Sequence, residues 1–95
     1  MTETAQGAPG MRLDRLLVYL RFARTRSAAR DLIDGGALRR NREHVQRISE
    51  HICVGDVLTM MVGNRVRVIE ILSLPERRQS ASLAQTHYRD LTRDT

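Results

Sequence analysis

At 95 residues, with 41% hydrophobic and only 3% aromatic side chains, the chain has room for one small domain whose core must be built from Leu, Ile, Val and Ala. Its formal charge is +5 and all sixteen cations are arginines, the side chain that grips phosphate bidentately, although codon bias accounts for the missing lysines equally well. The single Cys53 excludes an intramolecular disulfide, and no apolar run approaches the roughly 20 residues of a membrane span.

The opening MTETAQGAPG lacks the basic and apolar regions of a secretory signal, so residues 1–10 are expected to be a disordered leader and the protein cytoplasmic. From Arg12 to Arg47 ten arginines face four acids, a net of +6, while the rest of the chain carries six arginines against seven acids. A basic half joined to a nearly neutral half predicts a localised polyanion-binding face.

Leu13, Leu16, Leu17 and Leu20 recur at i, i+3, i+4 and i+7, which predicts a helix from about Leu13 to Phe22. A second helix is expected from Arg26 to Asp34, with Thr25 as N-cap and Gly35 or Gly36 as left-handed terminator. Its Ala28, Ala29, Leu32 and Ile33 gather on one side, and Arg26 and Arg30 stand one turn apart at the edge of the other. Ala37 to Asn41 reads as a polar strand and Asn41 to Ser49 as loop. Two strands, Val57–Val62 and Arg65–Leu72, form a hairpin across Gly63-Asn64. Pro75 ends the sheet region, and Ser82 to Leu91 has helical composition. The order α-α-β-β-β-α describes a small α+β domain.

Enzymatic chemistry finds little support. Cys53, between Ile52 and Val54, reads as a buried structural thiol, and His44, His51 and His87 lack the paired spacing of a zinc site and read as surface residues. No metal or other cofactor is expected. Asp14 reads as a partner of a neighbouring arginine or a local cap, and Gly35-Gly36, which follows a helix, as a helix terminator and not a phosphate loop. The leucine helix is too short, and too much needed by the core, for a membrane-surface role. The arginines remain. Arg24, Thr25, Arg26 and Ser27 sit where free helix amides already attract phosphate, and Arg26 and Arg30 place two guanidinium groups roughly 5.4 Å apart along the axis. Arg39, Arg40 and Arg42 follow the glycine turn and are expected to return toward that helix start. A helix of two to three turns with few base-reading side chains favours recognition of shape and backbone, which suits folded RNA.

Arg12-Leu13-Asp14-Arg15-Leu16-Leu17, then Arg24-Thr25-Arg26-Ser27-Ala28-Ala29-Arg30-Asp31-Leu32-Ile33, then Gly36-Ala37-Leu38-Arg39-Arg40-Asn41, then Val54-Gly55-Asp56-Val57, resembles the S-four RNA-binding domain, or alpha-L motif. Four ordered pieces from Arg12 to about Ile71 make the resemblance specific. Arg21-Phe22-Ala23-Arg24-Thr25-Arg26, and Glu76-Arg77-Arg78 before a Ser/Ala-rich segment with Tyr88, are similar to the heat-shock protein fifteen family and its short ribosome quality-control relatives. The resemblance implies two N-terminal helices packed on a small curved, antiparallel-rich sheet with a short C-terminal helix, over residues 11–74 with a linker and helix at 75–95. It implies RNA contacts at Arg12, Arg24, Thr25, Arg26, Ser27, Arg30, Arg39 and Asn41. Arg42 stands where the pattern has glycine and adds charge to that set; Arg40 stands where it has an apolar strand residue.

By the same resemblance the expected role is a non-enzymatic monomer docking on ribosomal RNA of the large subunit, with transfer RNA as a further partner, in rescue of stalled subunits that carry peptidyl-tRNA. Two alternatives compete: an accessory subunit of a separate RNA-modifying enzyme, and a protein–protein adaptor using the edge of the Val57–Leu72 hairpin.

Overall fold

The computed structural model describes residues 10–36 and 38–92. The expected leader lies outside the described residues except for Gly10, which already belongs to the fold: a Cβ there would meet the His51 Cβ at 3.0 Å.

The leucine stripe behaves as its spacing demands. Leu13, Leu16, Leu17 and Leu20 are all buried, each contributing about 1.5–3 kcal/mol by leaving water. They line α1, Leu13–Tyr19, which follows a two-residue strand β1 at Met11–Arg12. The helix stops three residues sooner than its composition predicts. Arg21 takes a left-handed backbone (φ 70°) while its amide donates to Val18 O (3.0 Å) and the Phe22 amide to Leu17 O (2.9 Å), the paired bonds of a Schellman cap.

The second helix, α2, runs over Arg26–Asp34 as expected. Thr25 caps it, with Oγ1 accepting from the Ala28 amide at 3.1 Å, and Gly36 supplies the left-handed residue at φ 75°. Gly35 keeps a helical backbone. Ala29 and Ile33 face the leucines, and small side chains permit the close approach of the two helices.

Strands β2 (Leu38–Arg40), β3 (Glu43–His44), β5 (Val57–Val62), β6 (Arg65–Ile71) and β7 (Tyr88–Asp90) form an antiparallel sheet in the order β3-β2-β5-β6-β7. A separate two-residue ladder joins β1 to β4 (His51–Ile52). Leu38, Leu58, Met60, Ile69 and Ile71 point from the sheet onto the helices and are fully buried. Alternation sends Arg39, Thr59, Met61, Val66 and Val68 to the other side.

Several expectations change here. The stretch Asn41 to Ser49 is not all loop: Glu43–His44 pairs with Arg39 and Arg40. The expected helix over Ser82–Leu91 is a single turn, α3 (Ala81–Ala84), and a 3-10 turn, Gln85–His87, before the chain extends into β7. Pairing of Tyr88 with Ile71, and its ring 5.1 Å from Phe22, outweigh helical composition. Because β2 and β7 cover Leu58–Met60 and Ile69–Ile71, the hairpin has no free edge along those residues, against the adaptor reading. Cys53 is half-buried instead of buried. His44 and His51 are exposed as expected, but His87 is held between Ser73 Oγ (2.7 Å) and Gln79 Oε1 (2.9 Å).

Candidate nucleic-acid interface

Asp14 is the organising residue of the basic face. It is 2% exposed, the only buried charged side chain among the described residues, and sits in the first turn of α1. Its Oδ1 accepts from the Arg15 amide (2.8 Å) and Arg12 Nε (3.2 Å); its Oδ2 accepts from Arg12 Nη2 (3.2 Å) and Arg26 Nη2 (3.1 Å). Burial pushes its pKa up, but the hydrogen bonds from Arg12, Arg26 and the Arg15 amide outweigh burial and hold the carboxyl below its ordinary value. Both roles expected of Asp14, arginine partner and local cap, are present.

One carboxylate thus fixes two arginines from different elements, Arg12 of β1 and Arg26 of α2. Their remaining N–H groups face outward, since Arg12 and Arg26 side chains stay 40% and 61% exposed. Arg12, Asp14, Arg26, Ser27, Arg30 and Ile48 line a shallow cavity of about 180 Å³. At its rim lies the start of α2. Thr25 satisfies the amides of Ala28, through Oγ1, and Ala29, through its carbonyl, which leaves those of Arg26 and Ser27 at the open end of the helix. The start of α1 differs: carbonyls of Glu50 and Ile48 accept from the Leu13 and Asp14 amides. Two fixed guanidinium groups, a third at Arg30 and two amides with no partner among the described residues make a concave face whose chemistry suits phosphate oxygens. Arg24 and Thr25 are exposed beside it.

The second half of the expected set is placed differently. Asn41 and Arg42 form the two-residue turn between β2 and β3, with φ of 51° and 77°, the type I′ geometry that favours Asn-Gly. Arg in the glycine position keeps the turn but strains it. The Asn41 side chain is engaged within the protein: Nδ2 donates to Asp56 Oδ1 (3.0 Å) and Oδ1 accepts from the Val57 amide (2.9 Å). Asp56 Oδ2 also accepts from Arg40 Nε (2.9 Å) and the Cys53 amide (2.8 Å), so the Asn41-Arg42 turn and the Val54-Gly55-Asp56 turn are one unit.

Arg40 does not return to the helix start. It faces inward and pairs with both Asp56 and Glu50; burial lowers its pKa, and the bonds to these two carboxylates more than reverse that and raise it. Arg39 points to the sheet face away from the helices, opposite Thr59 and His44. The cavity therefore gathers Arg12, Arg26, Ser27 and Arg30, with Arg24 and Thr25 adjacent, while Asn41 and Arg42 project from the hairpin turn. Sequence reasoning missed Asp56 as the residue that sets that turn; Val54-Gly55-Asp56-Val57 entered only as a piece of the family resemblance, with no role given to the carboxylate.

Comparison with known proteins agrees with this fold. The family model of the S4 domain matches residues 11–58. The Heat shock protein 15 homolog of Aeromonas salmonicida is 33% identical over 90 residues, covering 95% of this chain and 67% of that protein. The homolog of Haemophilus influenzae is 34% identical over 80 residues (84% and 60%), and Heat shock protein 15 of Escherichia coli K12 is 32% identical over 80 (84% and 59%). The chain thus spans less than two thirds of the latter two relatives. The trimeric structure of Vibrio cholerae Heat Shock Protein 15 superposes with a TM-score of 0.80 at 32% identity, over 86% of this chain and 82% of that one.

Proposed function

This chain belongs to the S4 domain family and is a relative of heat shock protein 15, and from that premise we propose that it is a ribosome-associated RNA-binding protein of the stress response that docks on structured RNA of the large ribosomal subunit. The observation that carries the reading is the Asp14 clamp, which presents Arg12 and Arg26 beside Arg30 and the open amides of α2. Such a site holds phosphates by position and reads the shape of a folded backbone. Its work is binding, and the role this reading gives it is the rescue of stalled subunits that carry peptidyl-tRNA, with transfer RNA as a neighbour. Its place of action is the cytoplasm; no described helix is long and apolar enough to cross a membrane. Arg24, Thr25 and Ser27 act with the clamp, while Arg42, Arg39 and Asn41 belong to a separate part of the proposed face, at the β2–β3 hairpin.

Co-sedimentation through a sucrose gradient tests the site. Arg26→Glu with Arg30→Glu abolishes association with the large subunit while the fold persists, and wild-type binding weakens steeply as salt rises. Undiminished co-sedimentation of the double variant refutes the proposed face.

A second reading concerns assembly. The expected monomer stands against the trimeric Vibrio cholerae relative, and here Met61, Val66 and Leu91 are exposed, the first two on the sheet face turned from the helices. Light scattering decides: a particle of 10.9 kDa retains the monomer, and one three times heavier establishes association.

A further inference from the structure

A second cluster of arginine and aromatic side chains lies at the far end of α1. Leu20, Arg21, Phe22, Val62, Arg67 and Tyr88 line a cavity of about 300 Å³ between the helix end, the β5–β6 hairpin and the C-terminal segment. The Phe22 and Tyr88 rings sit 5.1 Å apart at 50°. The Arg67 guanidinium lies 5.3 Å from the Phe22 centroid and is anchored by Asp90 at 2.8 Å, so its plane is held in place before any ligand arrives. At the mouth, Arg21 is exposed and its guanidinium donates, among the described residues, to the Gln79 carbonyl alone, at 3.1 Å.

Arg21 also occupies the Schellman position that glycine fills without strain. A non-glycine residue there costs of order 1 kcal/mol. An exposed side chain kept in a strained backbone position points to a use for the side chain, and the cavity supplies one.

We propose that this cavity takes one unstacked nucleobase of the bound RNA, its ring against Arg67 and Tyr88 and its phosphate on Arg21. The chemistry selects that ligand. Aromatic and guanidinium planes match the face of a base, and a cation at the mouth matches the phosphate it carries. An aliphatic side chain leaves both arginines unused, and a bare phosphate leaves both rings unused. The strand can reach both places: Arg21–Thr25 joins the cavity to the start of α2, spans at most about 18 Å, and carries exposed Arg24 between them. The inference rests on the RNA-binding reading and adds to it a stacking site.

Nuclear magnetic resonance of the full chain with a single-stranded oligo-adenylate tests it, because Phe22 is the only phenylalanine and its ring signals need no disentangling. Ring protons of Phe22 and Tyr88 shift on adding the oligo-adenylate and stay fixed on adding inorganic tripolyphosphate. Arg21→Gly, which suits the backbone, keeps or raises Tm and weakens oligo-adenylate binding roughly tenfold, in line with the loss of one charge-assisted phosphate contact. Unshifted rings, or undiminished binding by Arg21→Gly, overturn the cavity; if salt-sensitive ribosome co-sedimentation persists alongside either result, the RNA-binding reading stands without it. Loss of ribosome and oligo-adenylate binding alike in the wild type overturns both.

Discussion

Replacing Asp14 by Asn separates two accounts of the basic face. If charge alone governs RNA affinity, removing an anion from among arginines strengthens binding. If the carboxylate acts by holding Arg12 and Arg26 in place, removing its charge weakens binding. The structure gives the size of the effect. Asn keeps Oδ1 for the Arg15 amide and Arg12 Nε but sets an NH₂ group against Arg12 Nη2 and Arg26 Nη2, now at 3.2 and 3.1 Å from Oδ2. Two charge-assisted bonds are lost; with solvent reaching both arginines, each is worth about 0.5–1 kcal/mol. The NH₂ group also becomes a buried donor without an acceptor, at about 1 kcal/mol or more. The sum is roughly 2–3 kcal/mol, or a fall in Tm of roughly 10–20 °C for a domain of this size. Thermal unfolding by circular dichroism measures the first effect, and RNA binding at fixed salt, well below the variant's Tm, measures the second. Tighter binding by folded Asp14→Asn refutes the positioning argument.

Three further outcomes follow from the geometry. Arg42→Gly relieves the left-handed strain at φ 77° and raises stability by about 1 kcal/mol. The same variant weakens RNA binding and lowers the salt slope by about 1; an unchanged slope shows that Arg42 touches no phosphate. Thr25→Ala removes the acceptor for the Ala28 amide, costs about 1 kcal/mol in denaturant unfolding, and loosens the phosphate site at the start of α2. Acid unfolding carries the sign of depressed carboxyls: Asp14 and Asp90 both titrate below the ordinary 3.8, the latter through its Thr92 and Arg67 bonds, so their contribution is complete above that value. It disappears as pH falls through the folded-state values, and Asp14→Asn flattens that part of the profile; a wild-type Tm insensitive to pH between 5 and about 2 contradicts the assignment.

The second helix was fully legible because period, cap and glycine terminator agree within one stretch of chain. The end of the first was not: Arg21 carries no local sign that it terminates a helix, and only the bonds to Val18 and Leu17 reveal it. The C-terminal segment misled for a different reason. Ala81 to His87 does turn helically, but Tyr88 gains more from pairing with Ile71 and packing on Phe22 than from one more turn, and those partners lie 17 and 66 residues away. Of the candidate site, residues contiguous along Arg24–Arg30 emerged directly, and Asp14 was rightly read as an arginine partner. The role of Arg40 depended on Glu50 and Asp56, acids that composition places in the neutral half of the chain. Two-residue strands such as Met11–Arg12 and His51–Ile52 are too short to show any period.

The junction around Asp56 bears on how genetic data for this protein are to be read. If the proposed face binds RNA, a screen for lost RNA binding returns Asp56 together with the arginines, because its carboxylate holds Asn41 and Arg40, and through Asn41 the attitude of Arg42. Asp56 itself is an anion with no attraction for RNA. A map drawn from phenotypes alone would extend the footprint to the Val54–Asp56 turn, whereas a footprint drawn from chemical crosslinks would omit it. The gap between the two maps marks the residues that aim the grip without forming it.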